Sequence, residues 1–178
     1  MTIPTLFTAR LTLRPFSDDD APAYAVIRLD EQVVDWLPRP PEGETPIETA
    51  ERTLRHFRET WAEHGVGPWA VCDRETGVLL GHCGLRYLED FKGVEALWTL
   101  APQCWGRGYA SEAAVESLRY GFEQAGLDKI FAITLPTNLA SRGVMQKIGM
   151  GYRRDTEWKG FPIVWYDIDR SAWQSRRQ

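Results

Sequence analysis

The segment Gln103-Cys104-Trp105-Gly106-Arg107-Gly108-Tyr109-Ala110-Ser111-Glu112 constrains this chain more than any other. It joins an apolar run, Val94 to Leu100, to a helical run, Ala110 to Ala125, with two glycines at the joint. A strand that turns through glycine into a helix leaves the first N–H groups of that helix pointing outward and unpaired. Together with the positive end of the helix dipole, those donors form an anion site. The segment therefore predicts a grip on a phosphate-bearing ligand. Glycine is also the default residue of any tight turn, so the two glycines alone fit a turn that holds nothing equally well.

The rest of the chain supplies elements around this joint. Arg10 to Pro15 alternates with period two and reads as a first strand. Ser17-Asp-Asp-Asp opens a helix to about Leu29, with Pro22 placing the first residue or two outside it. Thr45-Pro46-Ile47-Glu48 is a capping box with proline at the first helical position. Behind it Ile47, Ala50, Leu54, Phe57 and Trp61 recur on one helical face, and Gly65 stops the helix.

The period then changes to that of strands. Trp69 to Asp73, Val78 to Tyr87 and Val94 to Leu100 are joined by the turns Arg74–Gly77 and Asp90–Gly93. The helix after the glycine joint turns Val115, Leu118, Phe122 and Ala125 inward and ends at Gly126. Ile130 to Leu135 is a short strand. Asn138 caps a further helix with Leu139, Val144, Met145 and Ile148 inward, and Gly149 ends it. Tyr152 to Trp158 and Ile163 to Ile168 close the chain as a hairpin around Lys159-Gly160. The order is β-α-α-β-β-β-α-β-α-β-β, an α/β domain spanning residues 1–178. Val94 to Leu135 is expected to be a right-handed crossover.

Composition narrows the function. The net charge is −4 with no basic stripe, which argues against nucleic acid. No stretch approaches the ~20 apolar residues of a membrane span. His56, His64 and His82 have no ligand-like spacing to Cys72, Cys83 and Cys104, so no metal is expected. Three scattered cysteines, and a start without a basic region or long apolar core, predict a cytoplasmic protein.

A P-loop needs a lysine after its last glycine, and none stands here. A dinucleotide fingerprint needs a third glycine, where this chain has Ser111, and expects the motif on the first strand. The full pattern Gln103-x-x-Gly106-x-Gly108-x-Ala110 resembles the acetyl-CoA signature of the GNAT N-acetyltransferase superfamily. Trp105-Gly-Arg-Gly-Tyr-Ala-Ser-Glu-Ala resembles its common extended form. Asn138-Leu-Ala-Ser141 with Lys147-Ile-Gly149-Met150 resembles a second family element. Thr8-Ala-Arg10-Leu-Thr-Leu-Arg14 is similar to the opening of the RimJ/RimL-like branch, which includes ribosomal-protein N-terminal acetyltransferases. The likeness runs from about Thr8 to Trp173.

That resemblance implies the acyl-CoA N-acyltransferase fold, a mixed sheet of about seven strands with about four helices. It implies acetyl-CoA as co-substrate and a primary amine as acceptor, either a protein α-amine or a small molecule. A non-catalytic acyl-CoA-binding regulatory module on the same fold is the alternative. A homodimer is carried over only at the superfamily level.

The pyrophosphate is expected on the backbone N–H groups of about Trp105 to Ala110. Gln103 leads the motif, Arg107 adds charge, Tyr109 belongs to the same turn, and Ser111 offers a hydroxyl. The pantetheine arm is expected along the main chain of Trp98, Thr99 and Leu100, much as an added strand would lie, and against Asn138. Attack on a thioester needs an unprotonated amine, and Glu95 is the first candidate base, with Glu157 or a water chain behind it. The alternative for Glu95 is a charge on an exposed strand face. A backbone N–H near Leu100 is the expected oxyanion donor. Many members place a tyrosine near position 145, where this chain has Met145. Ser141, a match to the RimJ/RimL-like branch, is then the candidate donor to the thiolate, with Tyr152 in reserve. Cys104 has no recognisable histidine partner, so direct transfer in a ternary complex is expected.

Overall fold

The computed structural model describes residues 2–176 and builds one eight-stranded mixed sheet, in the order β1-β2-β3-β4-β5-β6-β8-β7. The strands are β1 (Leu6–Phe7), β2 (Leu11–Arg14), β3 (Pro68–Asp73), β4 (Leu79–Leu88), β5 (Gly93–Leu100), β6 (Lys129–Thr134), β7 (Gly151–Trp158) and β8 (Phe161–Asp169). The helices are α1 (Ala21–Leu29), α2 (Glu31–Val34), α3 (Pro46–His64), α4 (Tyr109–Glu123), α5 (Leu139–Lys147) and α6 (Arg170–Ser175). Among the described residues no helix is long and apolar enough to cross a membrane.

The helices expected from capping are present. Thr45 and Glu48 close a reciprocal capping box on α3, with Pro46 at its first position. Gly65 ends α3 at φ 67°, a left-handed conformation that glycine adopts without penalty. The acidic run Asp18–Asp20 forms a single 3-10 turn before α1 begins, and Pro22 lies in the first turn of α1.

Three short elements go beyond the expected seven strands and four helices. β1 pairs only Leu6 and Phe7 with β2. α2 is four residues long, capped by the Asp30 side chain. α6 is six residues long, capped by Asp169, and its Trp173 stacks on Phe122 of α4 at 5.6 Å. Three residues expected inward face out instead: Ile47, Val115 and Leu139 are exposed. Each lies at or near a helix end or on a flank, where a periodic apolar stripe overshoots the buried arc.

The sheet is covered on both faces. On one side α4 packs Ala113, Ala114, Leu118 and Phe122 against Val71, Cys83, Leu85, Ala96 and Ile130. On the other, α1 and α3 pack Tyr24, Ala25, Leu54 and Phe57 against Ala70 and Cys72. The alternation of side chains along each strand feeds both cores.

The centre of the sheet is where regular pairing stops. β5 pairs with β4 along its whole length, from Gly93 with Leu88 to Leu100 with Gly81. Its other neighbour, β6, is the parallel one, and the two share a single register position, Glu95 with Phe131. β6 meanwhile pairs with β8 throughout, from Lys129 to Thr134. The second half of β5 therefore has a strand on one side only.

Candidate acyl-transfer site

The chain leaves β5 at Leu100 and reaches α4 through the 3-10 turn Pro102–Cys104 and the two glycines. Gly106 has φ 71° and Gly108 φ 82°. Both lie in the left-handed region, where a side chain costs roughly 1–2 kcal/mol. The side of Gly106 on which a Cβ would stand is open, and at Gly108 the nearest atom is an Arg10 guanidinium nitrogen at 3.5 Å. The loop is thus open at Gly106 and meets a cationic guanidinium at Gly108.

α4 begins at Tyr109, and its first internal hydrogen bond runs from Glu112 N–H to Gly108 C=O at 3.0 Å. The N–H groups of Tyr109, Ala110 and Ser111 precede that bond, and no side chain caps them. This is the donor set a pyrophosphate needs, so the loop fits the family's co-substrate.

Two arrangements hold the loop rigid. The Trp105 indole N–H donates to the Leu100 carbonyl at 2.7 Å, tying the loop back to the strand end. Arg10, just before β2, donates through a guanidinium NH2 group to the Arg107 carbonyl at 3.0 Å. Its guanidinium also lies 4.4 Å above the Tyr109 ring, with Arg107 on that ring at 5.3 Å. The Tyr109 side chain is buried, and what it offers a ligand is its N–H.

Glu112 completes this anchor. It accepts from the Thr8 hydroxyl at 2.6 Å, the Arg10 N–H at 2.9 Å and the Arg10 Nε at 2.7 Å. Burial works against its charge, but the hydrogen bonds from Thr8 and Arg10 outweigh burial and hold the carboxyl below its usual range. The opening motif and the glycine motif are one structural unit. Thr8 and Arg10 carry the sequence resemblance, yet their part in the loop was not readable from spacing, since they meet it from across the sheet.

The direction of the β5 main chain follows from one bond. The Ala101 N–H donates to Leu80 C=O at 2.8 Å, on the β4 side. Donors alternate along a strand, so the Trp98 and Leu100 N–H groups face the opposite side, where β6 no longer pairs. The Thr99 main chain is turned toward β4. Of the three residues expected to meet the pantetheine arm, Trp98 and Leu100 present main-chain groups to the gap, and Thr99 presents its side chain to the α1/α3 face.

Glu95 lies at the point where β5 and β6 meet and is 3% exposed. The reading as an exposed strand charge is excluded. Its carboxylate accepts from Arg86 Nε at 2.6 Å, directly across the hairpin, with a weaker contribution from the Ile133 backbone N–H. Burial raises its pKa and the arginine opposes that rise. The partnership was legible in principle, because Arg86 and Glu95 are equally far from the turn that joins β4 to β5.

Further along the same face, His82 of β4 stands opposite Thr99. It is buried under Phe57 of α3 and Tyr24 of α1, and its Nδ1 is 2.8 Å from the Tyr24 hydroxyl. Burial, helped by the charges of Arg28 and Arg86, drives its pKa down to about 3, so the ring is neutral.

On the other side of the gap, Asn138 caps α5, its side-chain oxygen accepting from the Ser141 N–H at 3.0 Å. The cap is therefore real, and the Asn138 side-chain amide remains for other partners. The Ser141 hydroxyl makes no hydrogen bond to another described residue. Met145 is buried, 1% exposed, and belongs to the core. Tyr152 stands exposed on the edge strand β7, its hydroxyl on Asp155 at 3.0 Å. Glu157 is an exposed residue of the same strand. Gln103 and Arg107 are exposed at the loop.

The cysteines carry no nucleophile. All three are buried free thiols, and burial raises each pKa, that of Cys83 to about 12. No group of three metal-ligating side chains is found among the described residues.

Residues 10–151 match the family model described as an acetyltransferase (GNAT) domain. The chain is 33% identical over 143 residues to the uncharacterized N-acetyltransferase YnaD of Bacillus subtilis, covering 80% of each protein. It superposes on the acetyltransferase of Agrobacterium tumefaciens with a TM-score of 0.82 at 29% identity, covering 94% of this chain and 95% of that one. Mycobacterium smegmatis RimJ, solved in complex with CoA-disulfide, shares the fold at a TM-score of 0.73 and 22% identity, covering 90% of this chain and 82% of that one. The family model spans the glycine loop and most of the sheet, and the chain belongs to the GNAT family of acetyl-CoA-dependent acetyltransferases.

Proposed function

We propose that this protein is an N-acetyltransferase that moves an acetyl group to a primary amine by direct attack within a ternary complex. The observation that carries this reading is the half-paired β5. Its free edge leads straight into the glycine loop, and Glu95 lies at its closed end.

When bound, acetyl-CoA supplies a thioester carbon open to an amine. The N–H groups from Gly106 to Ser111 hold its pyrophosphate, and Gln103, Trp105 and Arg107 border it. Trp98 and Leu100 hold the pantetheine arm by their main chain, and Asn138 contacts it from α5. The Leu100 N–H is the donor to the reacting carbonyl oxygen.

Glu95 acts as the base through a water, since its burial leaves little room for direct contact with the amine. Its raised pKa makes it a better proton acceptor than a surface carboxylate. The Ser141 hydroxyl hydrogen-bonds the departing sulfur. The buried thiols, held protonated, support direct attack over an acyl-cysteine route. The acceptor is a protein N-terminal α-amine or a small amine, approaching from the α1/α3 face.

The test is thiol release from acetyl-CoA across a panel of peptides and small amines, with intact mass of each product. Acetyl transfer to an amine nitrogen is expected. Tight acetyl-CoA binding with no transfer to any amine would overturn the proposal.

A further inference from the structure

The charged side chains on and around the α1/α3 side of β4 and β5 differ in how their charges are balanced. Arg86 is spent on Glu95, at 2.6 Å. Glu44, before α3, is spent on Arg52 through two bonds of 2.7 and 2.9 Å. Arg28, in the last turn of α1, makes no ion pair within 4 Å among the described residues. It is half-buried, and its guanidinium carbon stands 6.0 Å from the centre of the Tyr24 ring. Tyr24 binds His82, which is uncharged, and His82 faces Thr99 of β5. The charges of Arg28 and Arg86 both act on His82, so the two cations share this face. Of the acids on this side, Glu95 is paired with Arg86, and Glu44, which also feels the Arg28 charge, is paired with Arg52.

A simple ammonium approaching this face meets one guanidinium more than the acids there neutralise. The surplus is unfavourable for a polycation and favourable for an amine that brings its own negative charge. Arginine presents a planar fork that matches a carboxylate or phosphate with two parallel hydrogen bonds.

Accepting the acyl-transfer reading above, we propose that the acceptor is a small amine that also carries an acid group, carboxylate or phosphate, and that Arg28 receives that group. Arg28 is then a specificity residue, and its effect falls on acceptor binding rather than on acetyl-CoA.

The experiment compares matched acceptors on the full-length protein: free L-amino acids, their amides, their decarboxylated amines, and O-phosphoethanolamine against ethanolamine. The acid-bearing members are expected to show at least about tenfold higher kcat/KM than their neutral partners, and the amino-acid and phosphate arms say which acid is preferred. Arg28→Gln should erase that ratio through KM while leaving the Kd for acetyl-CoA within about twofold. Arg28→Lys, which keeps the charge, should retain part of the preference and guards against a folding artefact. Amides equal to acids in the wild-type protein, an unchanged ratio in Arg28→Gln, a polyamine as best acceptor, or acetylation of peptides but no free acid-bearing amine would each overturn the proposal. If nothing is acetylated, calorimetry of the same ligands on the CoA-loaded protein separates the two ideas. A preference for acids that Arg28→Gln removes sustains the Arg28 site and counts against transfer alone. Equal binding of acid and amide overturns the site as well.

Discussion

Arg10 and Glu112, 102 residues apart in sequence, are joined by hydrogen bonds to both carboxylate oxygens, from the Arg10 N–H at 2.9 Å and from its Nε at 2.7 Å. One arginine thereby fixes the first turn of α4 and, through the Arg107 carbonyl, the loop before it. Replacing Arg10 with alanine should weaken acetyl-CoA binding about tenfold, ~1.4 kcal/mol, with little change in kcat at saturation. Calorimetry for the Kd and initial rates for kcat check this. A fall in kcat with an unchanged Kd would speak against a positioning role.

Gly106→Glu adds a side chain at φ 71° and a negative charge on the open side of the loop. Strain and repulsion act together. Acetyl-CoA binding should fall below detection by calorimetry while the far-ultraviolet circular dichroism spectrum is kept. Unchanged binding would defeat the assignment of the loop.

Ser141→Ala removes a hydroxyl without disturbing the Asn138 cap, which uses the Ser141 backbone N–H. Turnover should drop roughly tenfold, about 1.4 kcal/mol, the scale of one lost hydrogen bond to the departing sulfur, and acetyl-CoA affinity should stay within about twofold. Steady-state kinetics under saturating co-substrate is the measurement.

Glu95→Gln should lower kcat by about two orders of magnitude, the scale of a lost general base. Glu95 must be ionised to accept a proton, so wild-type kcat/KM should rise with pH on its acid limb. Because burial raises its pKa, that limb should stand above the pH at which a surface glutamate titrates. The pH profile of Glu95→Gln should lose this limb, and a retained limb would assign it to another group.

His82 makes a prediction about stability. Its pKa is near 6.5 when unfolded and about 3 in the fold. The folded state therefore refuses a proton that the unfolded state accepts. Its contribution is present above pH 6.5 and is lost as the pH falls from there toward 3. Between pH 7 and pH 5 this single group should cost about 2 kcal/mol. Urea unfolding at both pH values, with His82→Gln as control, checks it. The variant should show a loss smaller by about that amount.

These residues differ in how far the sequence reveals them. The β3–β4–β5 meander, the α3 capping box and the strand–glycine–helix joint rest on neighbours in the chain, and local patterns carry them. The expected donor run of about Trp105 to Ala110 rests on glycine placement and a helix start, both local, but the Trp105 N–H is taken by the Pro102 carbonyl at 2.9 Å, a 3-10 turn the spacing does not announce. β1, α2 and α6 are too short to establish a period, and their caps, Asp30 and Asp169, look like ordinary loop acids. His82 and Arg10 acquire their partners only when distant segments meet, His82 with Tyr24 of α1 and Arg10 with Glu112 of α4. The single Glu95–Phe131 register position is wholly non-local. It depends on β6 committing to β8, and nothing within β5 announces it.

That unpaired half of β5 has a consequence for how the protein survives without its co-substrate. An open strand edge is a template for other chains and invites aggregation. Here the vulnerable edge is recessed in the middle of the sheet, between β4 and β6, rather than set on its rim. The rim itself ends in β7, whose Arg153, Arg154, Asp155 and Glu157 discourage pairing. The longest unpaired stretch at the centre of the sheet is thus flanked by strands of the same sheet and is not presented at its rim.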